Sequence, residues 1–514
     1  DFTMSRNGYA CEQGKWPKAQ DIYNELHELT SKPIYCVSDA AYKDIVENYF
    51  DKQCAKSKAI TTEAKQYIPG GVQHNLAFNK PFPMCMVKAE GAYLYDADGN
   101  KYFDFLQAGG PTILGSNFPD VQEQAIELIK SCGPVTGLFH EAELLLAKEI
   151  NKHMPACEMF RMLGSGTESV MAAIRVSRCA TRNKRVIKVG GAYHGWSDQM
   201  VYGLKIPGSR NLLESHGIPK GCYGSTDEVR PNDLKMLEGM LRRNKLRGGT
   251  ACVIVEPVGP ESGTRPIDFD YNQKALELAH KYGALFIFDE VVTGFRMGLG
   301  GAQGFFNVKP DLTIFGKIIA GGYPAAGGVG GKREYISLMA AGVAGLGKKA
   351  YVGGTLAANP LSAYAGYCCI KAIEKYNACE KAGIAGDRLA AGLKALVKKH
   401  NLPYVVYNQG SIVHLECTGA MSFDYSSFSF LKSALGLLKN KPEMEARAEA
   451  MKDMGAAYMA NGIVTLAGSR LYTSMADTDE VIDAALERFD KVFALVKAQG
   501  TPELQRSFEK PKKK

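Results

Sequence analysis

The stretch that decides the fold is Ala284-Leu285-Phe286-Ile287-Phe288-Asp289, a short apolar run that ends on a carboxylate. Two similar runs, rich in β-branched residues, lie upstream at 185–189 and 251–255. Between the run at 251–255 and the run that begins at Ala284, residues 273–282 carry apolar side chains at helical spacing. Alternation of strand, helix and strand predicts right-handed βαβ units and a mostly parallel sheet covered by helices. The sequence therefore predicts an α/β protein with a large domain of this kind.

The rest of the chain shows different patterns. Two aromatic-rich runs flank Asp96-Ala97-Asp98-Gly99-Asn100, which is typical of a hairpin. Long amphipathic segments follow residue 375, with a strand pair near 404–416, and they indicate a smaller α+β domain. The expected division is 1–60 as a helical N-terminal extension with helices at 21–29 and 40–49, 61–110 as the N-terminal part of the small domain, 111–374 as the large domain, 375–500 as the C-terminal small domain, and 501–514 as a tail.

Composition excludes several classes of protein. Of the 514 residues, 46% are hydrophobic and 23% are charged, and no apolar run reaches the ~20 residues of a membrane helix. The net charge of +8 is small for this length and forms no basic stripe, so neither nucleic acid nor membrane is expected as a partner. The nine histidines form no ligand pair, so no metal site is expected. The 13 cysteines form no C-x-x-C pair, which predicts a reduced, cytoplasmic protein.

The segment Gly164-Ser165-Gly166-Thr167-Glu168-Ser169 stands directly before a helical pattern. Free backbone N–H groups, hydroxyl groups and the positive end of a helix dipole together favour an anion such as a phosphate. An ordinary capped helix after a glycine turn explains the same residues equally well.

Two other residues follow apolar runs. Asp289 ends a predicted strand, at the edge of a parallel sheet where ligands bind. Its alternative interpretation is a salt bridge to Arg296 or a helix cap. Lys317 follows Asp311-Leu312-Thr313-Ile314-Phe315-Gly316, and a desolvated lysine there would be a Schiff-base nucleophile. Taken alone, Lys317 is better explained as an ordinary surface lysine, because the chain has many lysines.

Together these pieces resemble the class III pyridoxal-phosphate-dependent aminotransferases, and the branch most similar is that of glutamate-1-semialdehyde aminomutase. The resemblance extends from about Ile68 to Phe489. It rests on Ile68-Pro69-Gly70-Gly71-Val72, Ser165-Gly166-Thr167-Glu168, Tyr193-His194-Gly195, Glu256-Pro257, Asp289-Glu290-Val291, Thr293-Gly294-Phe295-Arg296, Gly316-Lys317, Gly353-Gly354-Thr355 and Asn359-Pro360, which occur in that order. It implies the fold of type I pyridoxal-phosphate enzymes.

The resemblance also implies residue roles. Lys317 would form a Schiff base with pyridoxal 5′-phosphate and then move a proton, while Asp289 would pair with the ring nitrogen. The cofactor-binding residues implied are Ser165, Gly166 and Thr167 at the phosphate, Tyr193 and His194 at one side of the ring, Val291 at its other face, and Thr355 from the neighbouring subunit. The protein would therefore be a homodimer with shared active sites.

The chain departs from the aminomutase pattern at three places. No arginine occurs in residues 73–78, Glu261 replaces an asparagine, and Gly468-Ser469-Arg470 replaces an acidic residue. Arg470 and Glu261 are therefore the predicted substrate-binding residues, Arg470 as a partner for a carboxylate. For Arg470 the alternative is a structural pair with Asp477.

These departures favour an aminotransferase that moves an amino group from an amine or a β- or ω-amino compound to a 2-oxo acid. The alternative on the same fold is an isomerase, either an aminomutase or an amino-acid racemase. A third hypothesis is a catalytically silent binding protein, against which the presence of Lys317 and Asp289 argues.

Overall fold

The computed structural model describes residues 6–204, 215–342, 348–420 and 430–499, and the predicted tail lies outside them. The strands in these ranges are β1 Ile34–Val37, β2 Met86–Glu90, β3 Tyr93–Asp96, β4 Lys101–Asp104, β5 Met159–Leu163, β6 Arg185–Val189, β7 Thr226–Val229, β8 Thr250–Val255, β9 Leu285–Asp289, β10 Leu312–Gly316, β11 Gly327–Gly331, β12 Val405–Gln409, β13 Ile412–Glu416, β14 Ile463–Val464, β15 Arg470–Tyr472 and β16 Val496–Gln499.

The helices in the same ranges are α1 Ala19–Ser31, α2 Asp39–Ile45, α3 Asp51–Gln53, α4 Ala55–Ala64, α5 Pro119–Ser131, α6 Glu141–His153, α7 Gly166–Thr181, α8 Lys220–Tyr223, α9 Leu234–Asn244, α10 Pro260–Gly263, α11 Tyr271–Lys281, α12 Gly301–Phe306, α13 Arg333–Ile336, α14 Pro360–Tyr376, α15 Ala378–Lys399, α16 Phe430–Ala460 and α17 Asp479–Phe493. No helix in the described ranges is both long enough and apolar enough to cross a membrane.

A seven-stranded sheet forms the centre of the fold, in the order β5-β11-β10-β9-β8-β6-β7. The strands from β10 to β7 run parallel, and β11 is antiparallel to both of its neighbours. Alternate side chains of β8 and β9 pack against α7 on one face and against α9 and α11 on the other. The predicted α/β fold with a mostly parallel sheet covered by helices is confirmed, including the strand–helix–strand unit β8-α11-β9.

Smaller sheets lie beside the central one. The predicted hairpin is β3 and β4, which join β2 and β14 in a four-stranded sheet. The predicted strand pair near 404–416 is β12 and β13, which join β15 in a three-stranded sheet. Residues before 110 and after 375 thus share a sheet, because β14 pairs with β4. The division into domains stays a prediction.

The N-terminal extension contains the two expected helices as α1 and α2, and a π-helical turn, Val46–Phe50, continues α2. It also contains β1, which pairs antiparallel with β16 and which the sequence analysis did not predict. Four residues are too few for a clear alternation of polar and apolar side chains, so the pairing depends on a partner more than 450 positions away. The extension therefore contains a strand as well as the two expected helices.

Candidate active site

The carboxyl ends of β9 and β10 place two candidate residues side by side. Asp289 is the last residue of β9, and Ile314 of β10 is its partner in the parallel register. Lys317 follows β10 directly and adopts a left-handed φ of 46°, which turns the chain away from the strand direction. Because parallel strands end at the same edge, the amine and the carboxylate lie at one mouth of the sheet.

Asp289 pairs with a histidine and not with Arg296, its partner in the alternative interpretation. Its Oδ2 lies 2.7 Å from Nδ1 of His194, and both residues are buried, at 6% and 1% exposed. Its Oδ1 accepts a hydrogen bond from the backbone N–H of Val291 at 3.1 Å. The salt bridge between Asp289 and Arg296 is therefore not formed, since the Arg296 guanidinium binds other acceptors. Nε2 of His194 is buried without a hydrogen-bond partner in the described part of the chain.

The residues of the predicted anion site lie at the N-terminus of α7. Oγ of Ser165 caps this helix by accepting from the backbone N–H of Glu168 at 3.2 Å, so the capped-helix interpretation is confirmed. Gly166 is the first residue of the helix, and a Cβ there would lie only 3.2 Å from Val291. Thr167 lies behind it, with Oγ1 accepting from the N–H of Trp196 at 3.4 Å. A sixteen-residue helix thus directs its positive end toward the mouth where Asp289 lies.

A second acid at this edge is Glu256, which the sequence analysis names only as part of the motif Glu256-Pro257. It follows β8, and its carboxylate accepts backbone N–H bonds from Tyr193 at 2.8 Å, Glu261 at 2.9 Å and Ser262 at 2.8 Å. Desolvation raises the pKa of Glu256 and the charge of Asp289 adds to this, while His194 and the backbone donors lower it. Glu256 thereby fixes the segments that carry Tyr193 and Glu261. Its position after a third strand at the same edge was the available signal.

The aliphatic and amine end of Lys317 packs against a segment that sequence reasoning missed. A Cβ added to Gly109 would lie 3.5 Å from Nζ of Lys317, and one added to Gly110 would lie 3.6 Å from its Cδ. Both glycines have a positive φ, as do the two residues before them. The amine therefore faces backbone on this side.

The two predicted substrate-binding residues contact each other. Nη1 of Arg470 donates to the backbone carbonyl of Glu261 at 2.5 Å, and Arg470 is only 9% exposed. The alternative pair with Asp477 is wrong, because Asp477 accepts from the backbone N–H of Ser474 at 2.7 Å and does not contact Arg470. No carboxylate oxygen in the described ranges lies within ion-pair distance of Arg470, and its Nε has no hydrogen-bond partner there.

Two further buried residues of β13 surround Arg470. His414 is its cross-strand partner, with Nδ1 unpartnered among the described residues, and Glu416 has an unpartnered Oε1. Burial and the neighbouring charge of Glu261 raise the pKa of Glu416 while Arg470 and Arg265 lower it, and the resulting pKa is about 7. Burial likewise lowers the pKa of His414 well below its usual value. Around Arg470, several buried polar atoms therefore lack hydrogen-bond partners among the described residues.

Thr355 and Tyr193 lie at the surface of the single chain. Tyr193 is 53% exposed, and Thr355 is also exposed. A Cβ on Gly354 would lie 3.4 Å from Glu168, so the segment with Thr355 lies beside the first turn of α7 in its own chain. Its contact with a neighbouring subunit stays a prediction.

One other cluster has metal-ligand chemistry. Glu149, His153 and Glu374 each offer a ligand atom, all within 4.8 Å of one another. Lys152 lies 2.9 Å from Glu374, and Lys371 lies 3.7 Å from Glu149. These ammonium groups supply the positive charge that a cation would supply, so the cluster is an ion-pair network.

These residues fit pyridoxal phosphate. Lys317 offers an amine for the aldehyde, Asp289 a carboxylate for the ring nitrogen, and the start of α7 a positive helix end for the phosphate. Gly166 and Gly316 both lie against Val291, where an added Cβ would come within 3.2 and 2.9 Å of its side chain, so the two glycines let Val291 lie at this mouth. The mouth of the sheet thus has the chemistry of a cofactor site.

Comparisons with known proteins agree with this fit. The family model described as Aminotransferase class-III matches residues 77–493. The glutamate-1-semialdehyde 2,1-aminomutase of Acetivibrio thermocellus is 36% identical over 448 residues, covering 86% of this chain and 98% of the relative. A solved omega-transaminase from Sphaerobacter thermophilus has a TM-score of 0.75 and 25% identity, covering 87% of this chain and 98% of that one. A solved transaminase with PLP bound has a TM-score of 0.73 and 25% identity, covering 86% and 97%.

The fold and the site define a pyridoxal-phosphate enzyme of fold type I. More particularly, the chain belongs to the class III aminotransferase family, and its cofactor is pyridoxal 5′-phosphate.

Proposed function

We propose that this enzyme moves an amino group to or from a small carboxylate-bearing molecule, with Lys317 as the residue that binds the cofactor aldehyde and moves the proton. The observation that carries the proposal is the placement of Lys317 and Asp289 after two adjacent parallel strands, beside the start of α7. Pyridoxal phosphate, when bound, withdraws electrons from the carbon that loses its proton. The roles of the protein groups follow from their positions.

Lys317 is the general base and acid of the proposal. Its amine faces the backbone of Gly109, where a side chain at that position would lie 3.5 Å from Nζ. Asp289 keeps a proton on the ring nitrogen, and the His194 ring holds the carboxylate in place at 2.7 Å. A buried carboxylate paired in this way is well suited to stabilise a positive charge opposite it.

The remaining cofactor contacts come from two loops and a helix. Ser165, Gly166 and Thr167 hold the phosphate at the start of α7, and Val291 and Tyr193 lie on the two faces of the ring. The proposal also includes a homodimer in which Thr355 of one chain approaches the phosphate of the other. Exposed Trp196, Tyr351 and Leu356, at 72%, 72% and 58%, flank Thr167 and Thr355 and support an interface there. The cytoplasmic location stays a proposal, consistent with 13 free cysteines.

The geometry of the substrate corner favours transfer between two molecules, from an amine or a β- or ω-amino compound to a 2-oxo acid. Arg470 is buried without a carboxylate in direct contact within the described ranges. Burial lowers the pKa of Arg470, but Tyr472 and the charges of Glu261, Glu256 and Glu416 outweigh it and raise that pKa, so the guanidinium is a charged fork that suits an anion. The carboxylate of a 2-oxo acid would supply that anion.

The second candidate function is that of an isomerase. The comparisons support it at least as well as they support amino transfer between two molecules. The relative with 36% identity over 98% of its length is named an aminomutase, which rearranges an amino group within one substrate. A racemase uses the same machinery on one carbon and belongs to the same candidate. Against the aminomutase itself stand Glu261 and Arg470, the two departures that contact each other.

Stoichiometry distinguishes the candidates. The holoenzyme is incubated with single amino donors, with and without 2-oxoglutarate or pyruvate, and the amino and oxo products are counted. A transferase consumes one 2-oxo acid for each amino group lost, whereas an aminomutase or racemase turns over without an oxo acid. A colourless protein that takes up no pyridoxal phosphate and changes no donor would contradict both candidates and support the silent binding protein.

A further inference from the structure

The segment Gln107–Gly110 has an unusual backbone. Its four residues have φ values of 50°, 54°, 86° and 125°, and the first two carry side chains. A left-handed φ is uncommon for a residue with a Cβ and costs free energy unless the surroundings hold it. Four such residues in succession therefore need strong restraints from the rest of the protein.

This segment forms the wall against which Lys317 rests. A Cβ added to Gly109 would lie 3.5 Å from Nζ of Lys317, and one added to Gly110 would lie 3.6 Å from its Cδ, so both glycines lie beside this side chain. A shift of the segment by even one ångström would change where the amine can lie. The placement of the reacting amine thus depends on how the segment is held.

While Asp104 binds the backbone N–H of Gln107 at 2.7 Å, Arg296 joins this segment to distant parts of the chain. Its Nη2 donates to the carbonyl of Gly110 at 2.7 Å and to Oε1 of Gln107 at 2.9 Å. Its Nη1 donates to Oγ of Ser411 at 3.0 Å and to the carbonyl of Thr473 at 2.8 Å. One guanidinium thereby joins the wall of Lys317 to β15 and to the start of β13.

The surroundings show that this arginine is specialised. Arg296 is fully buried, all its hydrogen-bond acceptors are uncharged, and its guanidinium lies 4.9 Å from the ring of Tyr472. Burial lowers the pKa of Arg296 to about 10. A core position would be occupied at less cost by an apolar residue, so the fork geometry of the guanidinium is what this position requires.

We infer that Arg296 is a positioning residue for Lys317, acting through the left-handed segment Gln107–Gly110. Arg296 follows Asp289 by seven residues on the loop after β9, so one loop fixes both the carboxylate and the wall behind the amine. The inference rests on the proposed function, because it presumes that Lys317 is the cofactor lysine.

The test compares Arg296→Lys with Arg185→Lys in the holoenzyme. Arg185 is a matched control, since it is also a buried arginine but pairs with Asp227 at 2.7 Å, among residues that do not hold the wall of Lys317. Each variant is measured for Tm, for kcat and KM separately, and for the pH midpoint at which the visible absorbance of bound pyridoxal phosphate changes.

We expect Arg296→Lys to lower kcat by about a hundredfold, because a displacement of about 1 Å near the reacting atoms has that effect. KM should change by less than about threefold, and the absorbance midpoint should move by about half a pH unit or more. Arg185→Lys should lower Tm without moving the midpoint. If Arg296→Lys lowers only Tm, Arg296 is a structural residue and the inference is overturned.

A second variant and a labelling experiment distinguish failure of the inference from failure of the proposed function. Should Arg296→Lys fail to fold, Gln107→Met removes one of its acceptors, and an unmoved midpoint in that variant overturns the inference. Borohydride reduction of the unsubstituted holoenzyme tests the proposed function separately. Label on a lysine other than Lys317 defeats the proposed function, whereas label on Lys317 with unaltered Arg296→Lys behaviour defeats the inference alone.

Discussion

The two ends of the candidate active site are built in opposite ways. At the cofactor end, Asp289 pairs with His194, and the carboxylate of Glu256 accepts three backbone N–H bonds. At the substrate end, Arg470 has no carboxylate in direct contact within the described ranges, and buried atoms of Glu416 and His414 there lack hydrogen-bond partners. The carboxylates of the cofactor end thus have close partners within the chain, whereas the Arg470 guanidinium contacts a backbone carbonyl.

This difference separates the residues proposed to bind the cofactor from the residues proposed to select the substrate. The charged fork of Arg470 suits a bound anion. The cofactor end can therefore stay the same while chemistry varies at the Arg470 end. Substitutions should follow this division: those at the cofactor end should affect rate, and those at the substrate end should affect KM.

The largest effect is expected at Lys317. Lys317→Ala should lower turnover by at least about 10³-fold, because the residue that moves the proton is lost, while pyridoxal phosphate still binds non-covalently. Borohydride reduction followed by peptide mapping checks the assignment. Lys332→Ala is the control, since Lys332 pairs with Asp311 at 2.9 Å, and it should keep full activity. Turnover retained by Lys317→Ala would contradict the role.

The next effect concerns two adjacent buried acids. Asp289→Asn should lower kcat by at least roughly a hundredfold, or ~2.7 kcal/mol, because the ring nitrogen loses its ionic partner. Glu290→Gln is the matched control, because Glu290 binds the backbone N–H of Ala302 and the side chains of Thr293 and Gln303. It should lower Tm and leave the cofactor absorbance unchanged. Equal kinetic effects of both substitutions would mean that Asp289 acts only through the fold.

A smaller effect is expected at the substrate end. Arg470→Lys keeps the charge but loses the planar fork, so KM for carboxylate-bearing substrates should rise about tenfold, equivalent to ~1.4 kcal/mol. The affinity for pyridoxal phosphate should not change. Steady-state kinetics with an acidic and an uncharged donor provide the comparison. An unchanged KM for every acidic substrate would assign Arg470 a structural role.

The last effect is on stability rather than on catalysis, through Glu416. Its folded-state pKa of about 7 lies above the ordinary 4.5, so the folded protein holds this proton more tightly than the unfolded chain. The contribution of Glu416 to the free energy of unfolding is thus full below about pH 4.5 and falls as pH rises to about 7, by up to about 1.4 kcal/mol per pH unit. Glu416→Gln should flatten this decline in urea unfolding at pH 5, 6 and 8. An unchanged slope would exclude Glu416 as its source.

The strands and the helix that present the candidate residues could be predicted from the sequence. Strand-length apolar runs located β8, β9 and β10, and the residues after them are polar because ligands bind where parallel strands end. Hence Asp289 and Lys317 were accessible from a short window of sequence. The capping serine of α7 was accessible for the same reason, since its partner Glu168 lies three residues away.

The sequence by itself therefore determined the class of the protein, its cofactor, and the strands and helix that present the candidate groups. Only the tertiary structure decided which charges meet: Asp289 with His194 rather than Arg296, and Arg470 with Glu261 rather than Asp477. The physical reason is distance along the chain. Arg296 reaches Gly110 across 186 positions and Arg470 reaches Glu261 across 209, and no local pattern of side chains records a contact formed at such separation.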